Sequence, residues 1–293
     1  MKLVNFEEEQ AIKLGIITEK GVIDIEKASF LFNNPLSLTM EEVISDPEKM
    51  ENIRLLYVLV EKSALETLYI SEKSIKIAPT LTNPNKIICV GLNYRKHAIE
   101  SNLAIPTNPI LFNKFTNSIA ASNEIISLPP LASEYDFEAE LAIVIGKEAK
   151  NISKEEALNY VFGYCNANDL SARDLQFQSS QWLLGKALDK FCPIGPYLVT
   201  ADEIPNPNKL SIKTYYNGNI QQESNTADMI FHCDEIISYI SNYITLSPGD
   251  IILTGTPEGV LMGLPEEVRA YMSAGDEVII EIEGLGQLRN SFV

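Results

Sequence analysis

The chain has 293 residues, 45% of them hydrophobic and 22% charged, which is ordinary for a soluble globular protein and enough to build a sizeable core. Its formal net charge of −17 works against a nucleic-acid or anionic-membrane surface, since both call for clustered Lys and Arg. An anionic substrate would therefore need local positive charge from a metal, a Lys or an Arg. The four cysteines, Cys89, Cys165, Cys192 and Cys233, form no Cys-x-x-Cys pair, so zinc and thioredoxin-like readings fall away. All four sit in or beside apolar runs, as buried free thiols of a reducing cytosol would. No positively charged start followed by an apolar run is present, and no apolar stretch is long enough to span a membrane. A cytoplasmic chain is expected.

Taken in chain order, residues 1–78 read as a small N-terminal α/β domain. Its β-like runs are Ala11–Ile17 and Gly21–Ile25, and two helical stretches follow. Thr39 with Glu42 is an expected capping box, and Asn52–Leu68 carries apolar residues at helical spacing. The proline-bearing stretch 77–85 is the expected linker. Residues 79–293 form the second expected domain, α+β in class and mostly β. Strands are expected at Lys86–Val90, Pro109–Phe115, Leu141–Ile145 and Tyr160–Asn168, with a capping box at Ser153 and Glu156. A hairpin turning at Asn217-Gly218 joins Leu210–Tyr216 to Asn219–Gln222. Asp234–Tyr243 is an amphipathic helix, and Ile251–Leu253 and Val278–Ile282 close the sheet. Regular βαβ alternation is missing, which argues against a Rossmann fold or TIM barrel.

Three carboxylates stand against apolar sequence. Glu138 and Glu140 enter the run Leu141-Ala-Ile-Val-Ile145, and Asp169 ends the run Val161–Asn168. Side chains two apart on a strand share a face, so Glu138 and Glu140 point the same way. Two half-buried like charges repel and are poorly solvated, and a hard divalent cation relieves both problems. Glu-x-Glu is also common on exposed strand edges, so the adjoining apolar run is what makes a metal site of it.

Only two histidines exist. His97 lies three residues before Glu100, a helical spacing at which the carboxylate can orient the imidazole; a solvent-facing polar helix is the competing account. His232, at a helix start, reads as structural. Lys114 and Lys186 are lone cations in apolar settings that want an anion, unless each reaches out to solvent. Thr254-Gly-Thr-Pro-Glu-Gly259 is a small-residue loop whose N–H groups can hold an oxyanion, or only a turn.

Five segments, in order, resemble the fumarylacetoacetate hydrolase family: Gly91-Leu-Asn-Tyr-Arg-Lys-His97, Phe137-Glu-Ala-Glu-Leu141, Asn168-Asp-Leu-Ser-Ala-Arg-Asp-Leu-Gln176, Gly185-Lys186 with Phe191-Cys-Pro-Ile-Gly-Pro196, and Gly249-Asp-Ile-Ile-Leu-Thr-Gly-Thr-Pro-Glu-Gly259. The resemblance runs from about Lys86 to the C-terminus. It implies a mixed β-roll or barrel-like catalytic domain, a homodimer, and Mg²⁺ on Glu138, Glu140 and Asp169, with Mn²⁺ or Ca²⁺ as substitutes. It implies a small 2-oxo acid substrate, catalytic roles for His97, Glu100 and Lys186, and substrate contacts from Lys114, Arg173, Gln176 and Thr256. The stretch 101–108 is not distinctive, so substrate identity stays open. The first expectation is hydrolytic C–C cleavage of an acylpyruvate or fumarylacetoacetate-like acid by water activated at His97. The alternative is an oxaloacetate-type decarboxylase or a 2-hydroxy-dienedioate isomerase of aromatic catabolism, in which His97 only moves a proton. A non-catalytic metal-binding or scaffold protein on the same fold is a third possibility.

Overall fold

All seven residues of the strand Ala139–Ile145 are buried. A strand reaches that state only when both faces of its sheet are covered. On one face Leu141, Ile143 and Ile145 pack with Ile236, Ile237 and Ile240 of the helix Cys233–Tyr243 and with Ile212 and Ile280. On the other, Ala142 and Val144 pack with Met40, Val43, Ile53 and Leu56 of the N-terminal helices. Burying each Leu, Ile or Val side chain contributes roughly 1.5–3 kcal/mol before chain entropy opposes it. This is why an uninterrupted apolar run, rather than an alternating one, marks the centre of the molecule.

The computed structural model describes residues 1–63 and 65–293. Around that central strand runs a twelve-stranded sheet. Its main path is Tyr69–Ile70, Gly21–Asp24, Ala11–Thr18, Lys2–Glu8, Cys192–Thr200, Val161–Asn168, Ala139–Ile145, Ile251–Leu253, Ile87–Gly91 and Ile110–Lys114. Among the described residues the two end strands of this path do not pair with each other, so the sheet does not close into a barrel. A five-stranded sheet, Asn219–Asn225, Ser211–Tyr216, Glu277–Ile282, Gly286–Phe292 and Ile125–Ile126, covers one face. The mostly-β α+β expectation holds. Val278–Ile282, expected to close one sheet together with Ile251–Leu253, instead belongs to this second sheet.

The N-terminal strands are part of the main sheet: Lys2 and Leu3 pair with Val199 and Leu198. The expected linker is pinned as well. Asn5 Nδ2 donates to the carbonyls of Pro79 and Thr80 at 3.0 and 3.2 Å, and Leu81 is buried. The expected helix Asn52–Leu68 is observed at Pro47–Ser63, followed by a short turn at Glu66–Leu68; residue 64 lies outside the described residues. The capping box at Thr39 and Glu42 forms in both directions. The one at Ser153 does not, because its hydroxyl meets Glu156 Oε2 only at 3.5 Å and accepts no backbone N–H. Asn217 and Gly218 turn the hairpin with φ of 49° and 80°, the left-handed pair such a turn requires. The strands Lys2–Glu8, Cys192–Thr200 and Gly286–Phe292 went unread. Cys192–Thr200 contains Pro193, Gly195 and Pro196, which ordinarily break a strand; here its pairing with Val161–Asn168 is irregular between Tyr164 and Asn166. Among the described residues no helix is long and apolar enough to cross a membrane.

Candidate active site

The register of the two central strands creates the site. Glu140 lies opposite Ala167 and Ala139 opposite Asn168. One step further along this ladder Glu138 faces Asp169, and the Asp169 N–H donates to the Glu138 carbonyl at 3.0 Å. Residues opposite one another in an antiparallel pair share a face, so both strands deliver their acids to the same spot. One carboxylate oxygen from each of Glu138, Glu140 and Asp169 lies within 4.8 Å of the others, and all three residues are buried.

Two ammonium groups and a guanidinium surround these acids. Lys186 Nζ lies 2.7 Å from Glu138 Oε2 and 3.0 Å from Asp169 Oδ2. Arg173 Nη1 lies 2.7 Å from Glu138 Oε1. Burial opposes the charge on Glu138, but Lys186 and Arg173 outweigh it and hold its carboxyl down at about 2. Burial likewise opposes the charge on Lys186, and Asp169 with Glu138 overrides it, so the ammonium is held more firmly than usual. Glu140 is the exception. Burial first, then Asp169 and Glu138, push its carboxyl well above the ordinary range. Among the described residues its side chain accepts one hydrogen bond, from the Gly255 N–H at 2.7 Å, and no cation pairs with it.

Lys114 points elsewhere. Its Nζ lies 2.7 Å from Asp169 Oδ1 and donates to the carbonyls of Leu170 at 3.0 Å, Phe191 at 2.7 Å and Lys186. Every donor of this ammonium is committed within the protein, and the side chain does not line the cavity. It holds together the segments that carry Asp169 and Lys186. Arg173 is also heavily engaged, with Asp136 through Nε at 3.0 Å and Nη2 at 2.9 Å, and with Gln176 Oε1 at 2.9 Å.

The opposite wall is the short helix Arg95–Glu100 and the loop after Leu253. His97 Nδ1 lies 2.8 Å from Glu100 Oε1, leaving Nε2 as the ring nitrogen free for a substrate. Glu100 Oε2 accepts the Gly259 N–H at 2.9 Å. A Cβ at Gly263 would fall 2.6 Å from the Glu100 carboxyl carbon, so only glycine leaves room for that carboxylate. The small-residue loop therefore does bind oxyanions, but they are the protein's own: Gly255 holds Glu140 and Gly259 holds Glu100. Thr256 Oγ1 accepts from Gln222 Nε2 at 2.9 Å, which leaves its hydroxyl proton for a ligand.

The cavity between the walls is lined by His97, Glu138, Glu140, Arg173, Gln176, Lys186 and Thr256, with Phe112, Trp182 and Met262 as apolar sides. Asp169 lies behind Lys186, and Glu100 behind His97. A larger groove beside Met1, Lys20, Arg54 and Glu61 brings together no such set. Sequence reasoning missed Gln222, whose neighbours Gln221 and Glu223 give no hint of burial, and assigned no role to Asp136.

Residues 86–293 match the family model described as fumarylacetoacetate (FAA) hydrolase C-terminal. Oxaloacetate tautomerase Fahd2a, mitochondrial, of Rattus norvegicus is 41% identical over 298 residues, covering 100% of this chain and 92% of that protein. A fumarylacetoacetate hydrolase from psychrophilic Exiguobacterium antarcticum superposes with a TM-score of 0.81 at 30% identity, covering 100% and 99% of the two chains. A maleylpyruvate hydrolase from Sphingobium sp. SYK-6, in complex with manganese(II) and pyruvate, gives 0.79 at 29% identity with the same coverage. The chain belongs to the fumarylacetoacetate hydrolase family, and it is an enzyme of that family.

One expectation is corrected by these relatives. Several carry the word mitochondrial in their names, against the cytoplasmic reading. That reading tested only for a secretory leader, and the amphipathic, Arg-rich segments that address other compartments have a different signature.

The donor set fits a hard divalent cation. It offers three carboxylates converging from a rigid sheet, all oxygen donors. Glu140, destabilised as an anion and with no cation paired to it among the described residues, is the member that a bound ion would most relieve.

Proposed function

We propose that the chain is a metal-assisted tautomerase that interconverts the enol and keto forms of an oxaloacetate-type 2-oxo acid. The observation that carries this reading is the His97–Glu100 pair, whose imidazole is buried across a narrow cavity from Lys186 and the carboxylate trio. Glu138, Glu140 and Asp169 would hold the ion, with Mg²⁺ proposed and Mn²⁺ as a substitute. When bound, it would act as a Lewis acid that polarises the 2-oxo oxygen and lowers the cost of enolate charge.

The remaining work falls to side chains. Lys186 would supply a firmly held positive charge to the developing enolate. Glu100 accepts the Nδ1 proton of His97, and this fixes Nε2 as the atom that gives or takes a proton at C3. In the net reaction a proton leaves the C2 hydroxyl and one arrives at C3, so no water is consumed. The Thr256 hydroxyl and the Gln176 amide, both lining the cavity, would hold the substrate carboxylate. Hydrolytic cleavage is the second reading. Two structural neighbours named hydrolases support it at 29–30% identity, whereas the tautomerase-named relative is 41% identical along the whole chain.

The test follows the ultraviolet absorbance of enol-oxaloacetate with the Mg²⁺-loaded protein, after EDTA, and with His97→Ala. Acetylpyruvate cleavage is measured in parallel. Accelerated loss of the enol, dependent on metal and on His97, supports the reading; acetylpyruvate cleavage without enol turnover would replace it with the hydrolytic one.

A further inference from the structure

Asp136 is fully buried and does not line the active-site cavity, yet it accepts four hydrogen bonds and sits against a further nitrogen of Arg173. Oδ1 accepts the N–H groups of Phe137 at 2.9 Å and Leu261 at 2.8 Å. Oδ2 accepts the Met262 N–H at 3.0 Å and faces Arg173 Nε at 3.0 Å and Nη2 at 2.9 Å. A carboxylate offers about four lone-pair sites, so nothing remains for a substrate. The group is used up in holding other groups.

What it holds lies on both sides of the site. On one side, the Arg173 guanidinium passes from Asp136 to Glu138 Oε1, 2.7 Å away, and to Gln176. On the other, the anchored Met262 is a cavity wall, and Gly263 beside it is the surface against which the Glu100 carboxylate rests. Glu100 in turn orients His97. Asp136 also pairs across the short two-stranded ladder with Ser171, two residues past Asp169, just as Asp136 is two before Glu138.

We infer that Asp136 is the positioning residue that fixes the proton-transfer pair His97–Glu100 relative to the metal-binding carboxylates, through Met262–Gly263 in one direction and Arg173 in the other. This rests on the tautomerase reading for its chemistry but not for its test. Without Asp136, Arg173 keeps only Glu138 and Gln176, both through Nη1, and nothing holds its Nε edge. The turn at Leu261–Gly263 loses the carboxylate that accepts its first two N–H groups.

The experiment compares wild type, Asp136→Asn and Gly263→Ala by two readouts that need no turnover. The first is Mn²⁺ affinity by calorimetry. The second is the ¹⁵N spectrum of the imidazoles, simple to assign because the chain has two histidines. Partners lying behind metal ligands typically alter affinity 10–100-fold. Asp136→Asn is expected to weaken Mn²⁺ binding about tenfold or more, and to turn His97 from one tautomer into a mixture. Gly263→Ala displaces only Glu100, so it is expected to mix the tautomers while Mn²⁺ affinity stays at the wild-type value. If circular dichroism shows Asp136→Asn unfolded, Asp136→Glu, which keeps the charge and moves the oxygens by one methylene, carries the same two readouts. A folded Asp136 variant that changes only one readout, or neither, overturns the inference. Wild-type protein that binds Mn²⁺ with a single His97 tautomer yet turns over no enol would remove the tautomerase reading and leave the positioning role standing.

Discussion

The two walls of the site are built in opposite ways. The carboxylate floor stands at the ends of two central strands whose side chains are sealed on both faces; Asp169 and Lys186 are essentially without solvent contact. The His97 wall is a six-residue helix whose Glu100 side chain is 20% exposed and is fastened by one backbone N–H and a glycine surface. A site that must hold several like charges in fixed positions needs the rigid wall. A site that must move one proton needs only a correctly turned ring. Rigidity is placed where electrostatic error is most costly.

The strongest way to break this contrast is to attack the floor. Asp169 stands between Lys114 and Lys186, so Asp169→Asn leaves two buried ammonium groups facing a neutral amide. Removing one partner of a buried pair typically costs roughly 3–5 kcal/mol. A fall of that order in unfolding free energy, measured by urea titration, is expected together with loss of metal binding; an unchanged midpoint would mean the floor is not held by charge.

His97→Ala tests the other wall. Enol turnover should fall about 10²–10⁴-fold, as for other general acid–base groups, while the urea midpoint and metal affinity stay near wild type. A large loss of stability would erase the distinction between the walls.

A pH series sharpens the comparison within the floor. Glu140 has a raised carboxyl when folded, so across the range above the ordinary carboxylate value the native chain binds more protons than the unfolded one. Stability that depends on this group is therefore present at low pH and lost as pH rises. Glu138, held down at about 2, contributes in the opposite sense, and its share is lost as pH falls from the ordinary carboxylate range toward that value. A bound cation needs Glu140 ionised and so competes with its proton. The rise in Tm on adding Mn²⁺ to EDTA-treated protein is expected to grow as pH increases from the acid range toward neutrality. A constant or shrinking rise would remove Glu140 from the ligand set.

The smallest effect is expected at the outer edge of the wall. Lys96 Nζ lies 3.1 Å from Glu258 Oε1 with the lysine 65% exposed, and exposed pairs of this kind contribute up to about 1 kcal/mol. Lys96→Ala should leave turnover and the urea midpoint nearly unchanged. A marked fall in turnover would show that the short helix depends on its surface as well as on Glu100.

The sequence disclosed these walls unequally, for physical reasons. Glu138 and Glu140 were legible because strand parity is a two-residue rule, and His97 and Glu100 because helix spacing is a three-residue rule. Asp136 lies in the same run as Glu138, yet its partners Leu261 and Met262 are 125 and 126 residues away, and no local period points to them. Gln222 reaches Thr256 across 34 residues from what reads as a polar hairpin strand. Lys114 was legible as a buried cation seeking an anion. Its direction was not, since three of its partners are backbone carbonyls, which every residue possesses. The continuity of the N-terminal strands with the main sheet was hidden in the same way, because Leu3 meets Leu198 only in the folded chain.

Lys114 also carries a consequence for how this protein can be observed. Its amine is walled off from solvent by Asp169 and by the carbonyls of Leu170, Lys186 and Phe191, which lie 56, 72 and 77 residues further along the chain. An amine-directed label cannot reach it while those segments stay together. The rate at which Lys114 becomes labelled is thus a clock for the opening of the core, one that runs independently of whether the enzyme is turning over.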